Sequence, residues 1–300
     1  MINLNEKRSG RHDQAMVLER SAPGDRYADY CLWDYPPVAP PAGKLRCANL
    51  LWRALEAAGA GPRFYAACRA LREGLGAFRT VFGVKQIAGR LSFEFYFYDY
   101  ARLERRVSIT RVLQILAPFA RCALSYSELR PYFMFSIDLD DDIVSGRRPL
   151  EMINIYVGNP GSSVSSGICY ELTDAGLRLA NFYFFFDARK EMDDIVAKVA
   201  CSAHHDLRGL PMRDILRPEL TGCQVIVVAN KKLNDGIYFS RIGIDPLIAF
   251  LERERFPADL PTFAAGHRNA LDHMLYDVGL DYVIDAGAVK ITKSAFYGLL

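Results

Sequence analysis

Along the chain, apolar and polar positions alternate with period two in a series of short runs. In Leu91-Ser92-Phe93-Glu94-Phe95-Tyr96-Phe97-Tyr98, one face is Leu91, Phe93, Phe95 and Phe97, and the other is Ser92, Glu94, Tyr96 and Tyr98. The run 181–186 splits into Phe182, Phe184, Phe186 against Asn181, Tyr183, Phe185. Met134/Ser136/Asp138, Asn154/Tyr156, Gln224/Asn230, Tyr238/Ser240 and Lys290/Thr292 extend the polar set. Successive side chains of a strand point to opposite sides, so each run predicts a strand with one greasy face and one polar, tyrosine-rich face.

The runs pair around tight turns. Val81–Ile87 and Arg90–Tyr98 flank Ala88-Gly89, and Gly167–Leu172 and Arg178–Phe186 flank Asp174-Ala175-Gly176. Cys223–Asn230 and Ile237–Ile242 flank Asn234-Asp235-Gly236, and Tyr282–Ile284 and Ala288–Ser294 flank Asp285-Ala286-Gly287. Tyr132–Leu139 and Leu150–Val157 make a further pair. Asp-Gly and Asp-x-Gly turns suit hairpin geometry. Helical spacing of apolar residues marks Leu45–Ala58 and Phe64–Phe78, with Gly59-Ala60-Gly61-Pro62 breaking the chain between them. Further helices fit Ile109–Ala120 after Ser108, Ala188–Ala200 after Asp187, and a segment opened by Asp245-Pro246.

This rhythm predicts an α+β fold of repeated antiparallel β-hairpins with interleaved helices. A sheet of about ten strands tends to curl or close, because open edges invite unwanted pairing. A closed ten-stranded antiparallel barrel ringed by helices satisfies that pressure. Residues 1–44 read as a polar tail, loose over 1–30, followed by a Pro-rich lead-in that can be neither helix nor central strand. Residues 45–300 read as a single α+β domain.

Composition narrows the class. The 300 residues are 51% hydrophobic and 24% charged, with Lys plus Arg 37 against Asp plus Glu 35. That is globular and long enough to bury a core without disulfides. The near-neutral balance argues against a protein built to grip nucleic acid. The seven cysteines are scattered without zinc spacing, which predicts free thiols in a reducing compartment. Met1–Asp25 lacks the apolar core of a signal peptide, and no apolar run reaches the ~18 residues of a membrane span. A soluble cytoplasmic protein with no membrane partner is expected.

Local motifs add little chemistry. Asp138-Leu139-Asp140-Asp141-Asp142 could hold Mg²⁺ or Ca²⁺, but such a run more commonly forms a solvated loop. The Gly/Ser-rich stretch 158–167 could cradle an anion, yet it lacks the lysine and helix of a P-loop. His204-His205 follows a helix end without a second ligand pair. Nucleophile-elbow and dinucleotide motifs are absent. No metal ligands are assigned.

The polar face therefore carries the functional question. It either meets water or lines a barrel lumen, and its tyrosines suit a chamber for an aromatic or amphipathic ligand. In element order and face polarity, residues 45–300 resemble the αββα-barrel aromatic and peptide prenyltransferases. The resemblance implies transfer of a prenyl group from an isoprenoid diphosphate to an aromatic or other nucleophilic acceptor, a small molecule or peptide, in specialised metabolism. It implies inward cations for the diphosphate, tyrosines that shield the allylic cation, and an acidic side chain that assists the acceptor. Glu94 matches the acidic role, and Tyr96, Tyr98, Tyr156, Tyr183 and Tyr238 match the shield. Asn154, Asn181 and Ser240 share the polar faces. Lys290 also shares a polar face, whereas Arg90, Lys231, Arg241 and Lys293 lie at strand ends or on the opposite parity. Inward cations are thus few and poorly phased, a departure from the family. The alternative is a non-catalytic ligand-binding or partner module using the same tyrosine-rich face.

Overall fold

The computed structural model describes residues 17–100, 105–158, 165–205 and 211–300. Ten strands form one sheet: β1 Thr80–Ile87, β2 Arg90–Tyr98, β3 Met134–Leu139, β4 Ile153–Gly158, β5 Ser166–Thr173, β6 Gly176–Asp187, β7 Val225–Lys231, β8 Asp235–Ile242, β9 Tyr276–Asp285 and β10 Ala288–Leu299. Each strand pairs antiparallel with the next, and β10 pairs back onto β1 through Val81↔Leu299 to Gln86↔Ser294, so the barrel closes and leaves no free edge. The expected architecture is the one found.

Helices α1 Ala48–Ala57, α2 Pro62–Leu75, α3 Ile109–Leu116, α4 Asp141–Val144, α5 Met192–Ala200, α6 Met212–Leu216, α7 Ile244–Arg253, α8 Asp259–Gly266 and α9 Arg268–Leu271 accompany the strands. Helix α3 starts where Ser108 accepts a hydrogen bond from the Arg111 amide at 3.1 Å. Helix α5 begins four residues later than its apolar pattern suggested, because Asp187 spends its carboxylate on the Arg189 and Lys190 amides of a turn. Helix α7 is capped by Gly243, while Asp245 pairs with Arg268. No helix among the described residues is long and apolar enough to cross a membrane. All seven cysteines are unpaired.

The main core lies between barrel and helices. Phe93, Phe95 and Phe97 are buried there, and Phe64 of α2 meets Phe93 edge-on at 5.3 Å. Phe186 is buried likewise, but Phe182 is 37% exposed and Phe184 half-buried under the Lys198 ammonium. The hairpin end of β6, with Leu177, Leu179 and Phe182, is left uncovered.

Three bulges break the period of two. They lie between Cys169 and Tyr170 against β6, at Arg241 in β8, and at Thr292 in β10. A bulge adds one residue and so flips which parity faces inward. Residues 17–30 are packed against the domain. Glu19 accepts from Trp52 Nε1 at 2.9 Å and pairs with Arg72 at 2.6 Å, and isolated bridges join Arg20 to Leu45 and Ala28 to Asp34.

Candidate functional site

The second face of the strands lines the barrel lumen. The tight hairpin turns gather at one end, and the charged side chains lie toward it. Lys85 enters from β1, Glu94 from β2, Ser136 and Asp138 from β3, Asn154 from β4, Lys231 from β7, Asp281 from β9 and Lys293 from β10. Glu94 Oε1 accepts from Ser136 Oγ at 2.6 Å and Asn154 Nδ2 at 3.3 Å, and Oε2 accepts from Lys85 Nζ at 3.2 Å. Lys85 also pairs with Asp138. Lys231 Nζ donates to Tyr238 Oη at 2.7 Å and Asp281 Oδ1 at 2.5 Å, while Lys293 reaches Asp281 Oδ2 at 2.7 Å.

Three ammonium groups thus face three carboxylates, and burial sets how each titrates. Burial pushes the Glu94 carboxyl up, but Lys85, the Ser136 hydroxyl and Lys293 outweigh it and hold it at about 2. Burial also raises Asp281, yet Lys231 and Lys293 hold it at about 2. Burial lowers the Lys231 ammonium to about 8 against the pull of Asp281, with Lys293 adding to the fall. Burial would lower Lys85 too, but Glu94 and Asp138 keep it raised.

Above this layer the wall is aromatic. Tyr96, Tyr156, Tyr183, Tyr238 and Tyr297 surround a cavity of about 220 Å³. Their rings form a chain of contacts, Tyr156–Tyr183 at 6.0 Å, Tyr183–Tyr238 at 6.1 Å, Tyr238–Tyr297 at 6.3 Å and Tyr96–Tyr297 at 5.9 Å. Burial raises every one of these phenols, which keeps them protonated at neutral pH. Gly279 makes this wall possible, because the Tyr238 ring lies where a β-carbon at 279 would stand. Among the described residues, no Lys, Arg, Asp or Glu lines the cavity itself.

The far mouth is partly closed by the N-terminal segment. The Tyr30 ring stacks 6.4 Å from Tyr238 and lies tilted 5.5 Å from Tyr297, and Cys31 and Trp33 complete that side. The Tyr30 amide donates to Asp277 Oδ2 at 2.8 Å, and Tyr98 Oη donates to the Tyr30 carbonyl. Asp277 Oδ1 also accepts from Ser240 Oγ at 2.5 Å and the Arg241 amide at 3.0 Å. Burial and the neighbouring Asp29 carboxylate push Asp277 up to about 7.

The sequence-derived candidates therefore separate. Glu94 sits in the floor with Asn154 upon it, and Tyr96, Tyr98, Tyr156, Tyr183 and Tyr238 line the cavity. Asn181 Nδ2 donates to Tyr183 Oη at 2.9 Å. Lys231 reaches the floor from a strand end. Ser240 and Arg241 serve the N-terminal segment, with Arg241 Nη2 paired to Asp29 at 2.9 Å. Two of the candidate cations stand outside the floor. Arg90 is exposed beside the β1–β2 turn. Lys290 lies on the lumen-facing side of β10, opposite Val283, but is exposed because it stands near the β9–β10 turn, outside the floor; the bulge at Thr292 puts Lys293 on that same face, where it reaches Asp281.

Lys85, Asp281, Tyr297 and Tyr30 escaped the sequence reading. Lys85 is hidden in Thr80-Val81-Phe82-Gly83-Val84-Lys85, where the inward Val81 and Gly83 mask the alternation. The acidic run proves to be structural beyond Asp138: Asp140 caps α4 through the Ile143 amide at 2.8 Å, Asp141 accepts from the Gly61 amide, and Asp142 pairs with Arg147. Among the described residues, no group of three or more His, Cys, Asp or Glu side chains is placed to hold a metal ion. His204 Nε2 lies 2.7 Å from the Lys231 carbonyl, and His205 pairs with Asp235. Residues 159–164 of the Gly/Ser stretch lie outside the described residues, and Ser165, Ser166 and Gly167 border the mouth.

Comparison with known proteins gives a distant likeness to solved structures. No family model matches the chain, and no curated protein matches it. Among solved structures, the apo form of the prenyltransferase PriB is similar over 84% of this chain and 94% of that one, with a TM-score of 0.43 and 10% identity. A likeness that distant assigns neither activity nor site, and both rest on the chamber itself.

Chemically, the chamber offers π-faces to an electron-poor or cationic centre. The buried layer beneath it, which does not itself line the cavity, holds a carboxylate too acidic to be a strong base but able to accept an N–H or O–H, and one amine that is partly neutral near pH 8.

Proposed function

We propose that the chamber transfers an allylic group from an isoprenoid diphosphate to an aromatic acceptor, with a ligand-binding protein as the second reading. The observation that carries the first is the stack of a five-tyrosine wall on a floor of three lysines and an ionised Glu94. In this reading the allylic C–O bond breaks and its electron pair leaves with the diphosphate. The tyrosine faces stabilise the cation so formed. Glu94 accepts a hydrogen bond from the acceptor and fixes its orientation. The acceptor then forms the new bond and loses a proton, which the neutral fraction of Lys231 can take.

Lys85, Lys231 and Lys293 would meet the diphosphate. Each already has a carboxylate partner, so the anion would have to exchange with Asp138 or Asp281. That pairing, with a cavity lining that is uncharged among the described residues, favours the second reading. Calorimetric titration with dimethylallyl thiolodiphosphate, with and without Mg²⁺, separates the two. Saturable binding that Lys293→Ala weakens tenfold or more, together with prenylated product by mass spectrometry from the natural diphosphate and an indole or phenol, supports transfer. Absence of both leaves the ligand-binding reading.

A further inference from the structure

The N-terminal segment is built into the chamber in a way its position in the sequence does not require. Tyr30 enters the mouth while its amide is held by Asp277, 247 residues away in sequence. Its carbonyl is held from β2 by Tyr98, and Tyr100 Oη donates to the Cys31 carbonyl at 2.7 Å. On the other side, Arg241 pairs with Asp29 and donates to the Trp33 carbonyl at 3.2 Å. Asp29 Oδ1 accepts from the Cys31 and Trp33 amides at 2.9 and 3.1 Å, folding 29–33 into a self-bonded turn. That turn places Leu32 at φ 58°, a left-handed conformation costly for a β-carbon residue. Such strain persists only where the surroundings over-determine it.

The hydrogen bonds hold backbone, leaving the Tyr30 ring as the part that meets the lumen. It stacks on Tyr238 and meets Tyr297 at a tilt. Beneath the segment lies a second cavity of about 30 Å³, where the Tyr27 hydroxyl and both His273 ring nitrogens are buried without partners. The barrel alone therefore does not bound the chamber. We infer that Tyr30 is the specificity-determining roof of the chamber, and that it limits the length of apolar ligand the tyrosine wall accepts.

The inference rests on the chamber being the ligand site, as proposed above, but not on prenyl transfer. At about 220 Å³ the cavity is smaller than the ~300–1,000 Å³ of drug-sized pockets, so a compact aromatic head with a short apolar tail fills it. Removing the Tyr30 ring would take away one part of the cavity's lining.

The test is a calorimetric titration with 4-n-alkylphenols from ethyl to octyl. In the natural protein, affinity should rise about fourfold per methylene, the ~0.8 kcal/mol of a buried CH₂, and then fall abruptly once the tail meets Tyr30. Tyr30→Ala should move that cutoff to a tail longer by two carbons or more, and Tyr30→Phe, which keeps the ring, should leave it in place. Melting curves establish that both variants are folded. If Tyr30→Ala disrupts the fold, Tyr30→Leu, a smaller side chain that retains apolar packing, must shift the cutoff in the same direction. An unchanged cutoff in a folded variant overturns the inference. Failure to bind isoprenoid thiolodiphosphate while the alkylphenol cutoff still moves overturns prenyl transfer alone, and failure of every alkylphenol to bind overturns the ligand-site reading together with the roof.

Discussion

Replacing Glu94 by glutamine tests whether the floor is an ion network or a set of incidental contacts. The substitution keeps shape and one acceptor oxygen, so the Ser136 bond can survive, but it removes the charge that faces Lys85 at 3.2 Å. In the folded protein the Glu94 carboxyl is held at about 2, against an ordinary value of 4.5. An acid depressed in this way stabilises the fold above its unfolded value, and the contribution is lost as pH falls through the folded value. The difference corresponds to about 3 kcal/mol. The geometry gives a similar size, since a lost charge-assisted hydrogen bond costs ~1.5–3 kcal/mol, and Lys85 retains Asp138 so that it is not left alone. Urea unfolding of both proteins at pH 7, 4 and 3 measures the difference. It should be about 3 kcal/mol at pH 7 and about half that at pH 3. The two should converge as pH approaches 2, because a protonated glutamate and a glutamine are then equivalent. A difference independent of pH, or one below ~0.5 kcal/mol at pH 7, would refute the network. In a functional assay the same variant should lose acceptor orientation, and so turnover, at temperatures where it is fully folded.

Three further substitutions probe the outer core and the lumen-facing lysines of β10. Phe95→Ala empties a fully buried site between barrel and α2, where the Phe64 ring lies 6.4 Å away, and should cost ~3–5 kcal/mol in denaturant unfolding. A loss under ~1 kcal/mol would mean that Phe95 does not face the helices. Lys293→Ala leaves Asp281 with Lys231 as its remaining partner and should destabilise by ~1–3 kcal/mol, whereas exposed Lys290→Ala should stay within ~0.5 kcal/mol of the natural protein. The reverse ranking, read from melting curves, would place the β10 bulge wrongly.

Much of the barrel is legible along the chain because side-chain direction in a strand is a local property. Phe93, Phe95 and Phe97 must leave Glu94 and Tyr96 on the other side whatever the rest of the molecule does. Hairpin turns such as Ala88-Gly89 and Asp285-Ala286-Gly287 are local as well, so strand pairing followed from them. Local reading failed where polarity was inverted by the site. The segment Tyr276-Asp277-Val278-Gly279-Leu280-Asp281 carries two aspartates and a glycine, residues depleted in strands, yet it is the first half of β9. Its acids are there to meet Lys231, Lys293, Ser240 and the Tyr30 amide, partners that sequence proximity does not reveal.

What the sequence by itself determined is the two-faced character of the strands, the hairpin rhythm, and the gathering of Glu94 with Tyr96, Tyr156, Tyr183 and Tyr238 on one side. Only the tertiary structure decided which cations enter the lumen and what covers it. A single extra residue at Thr292 brings Lys293 onto the face that Lys290 already shares, since inward and outward positions alternate and a bulge resets the count. Closure of β10 onto β1 brings Lys85, Glu94 and Lys293 around one floor. A segment without periodicity becomes a wall because its ordering is provided by Asp277, Arg241 and Tyr98. Contacts of that kind depend on distances through space, and a linear pattern carries no record of them.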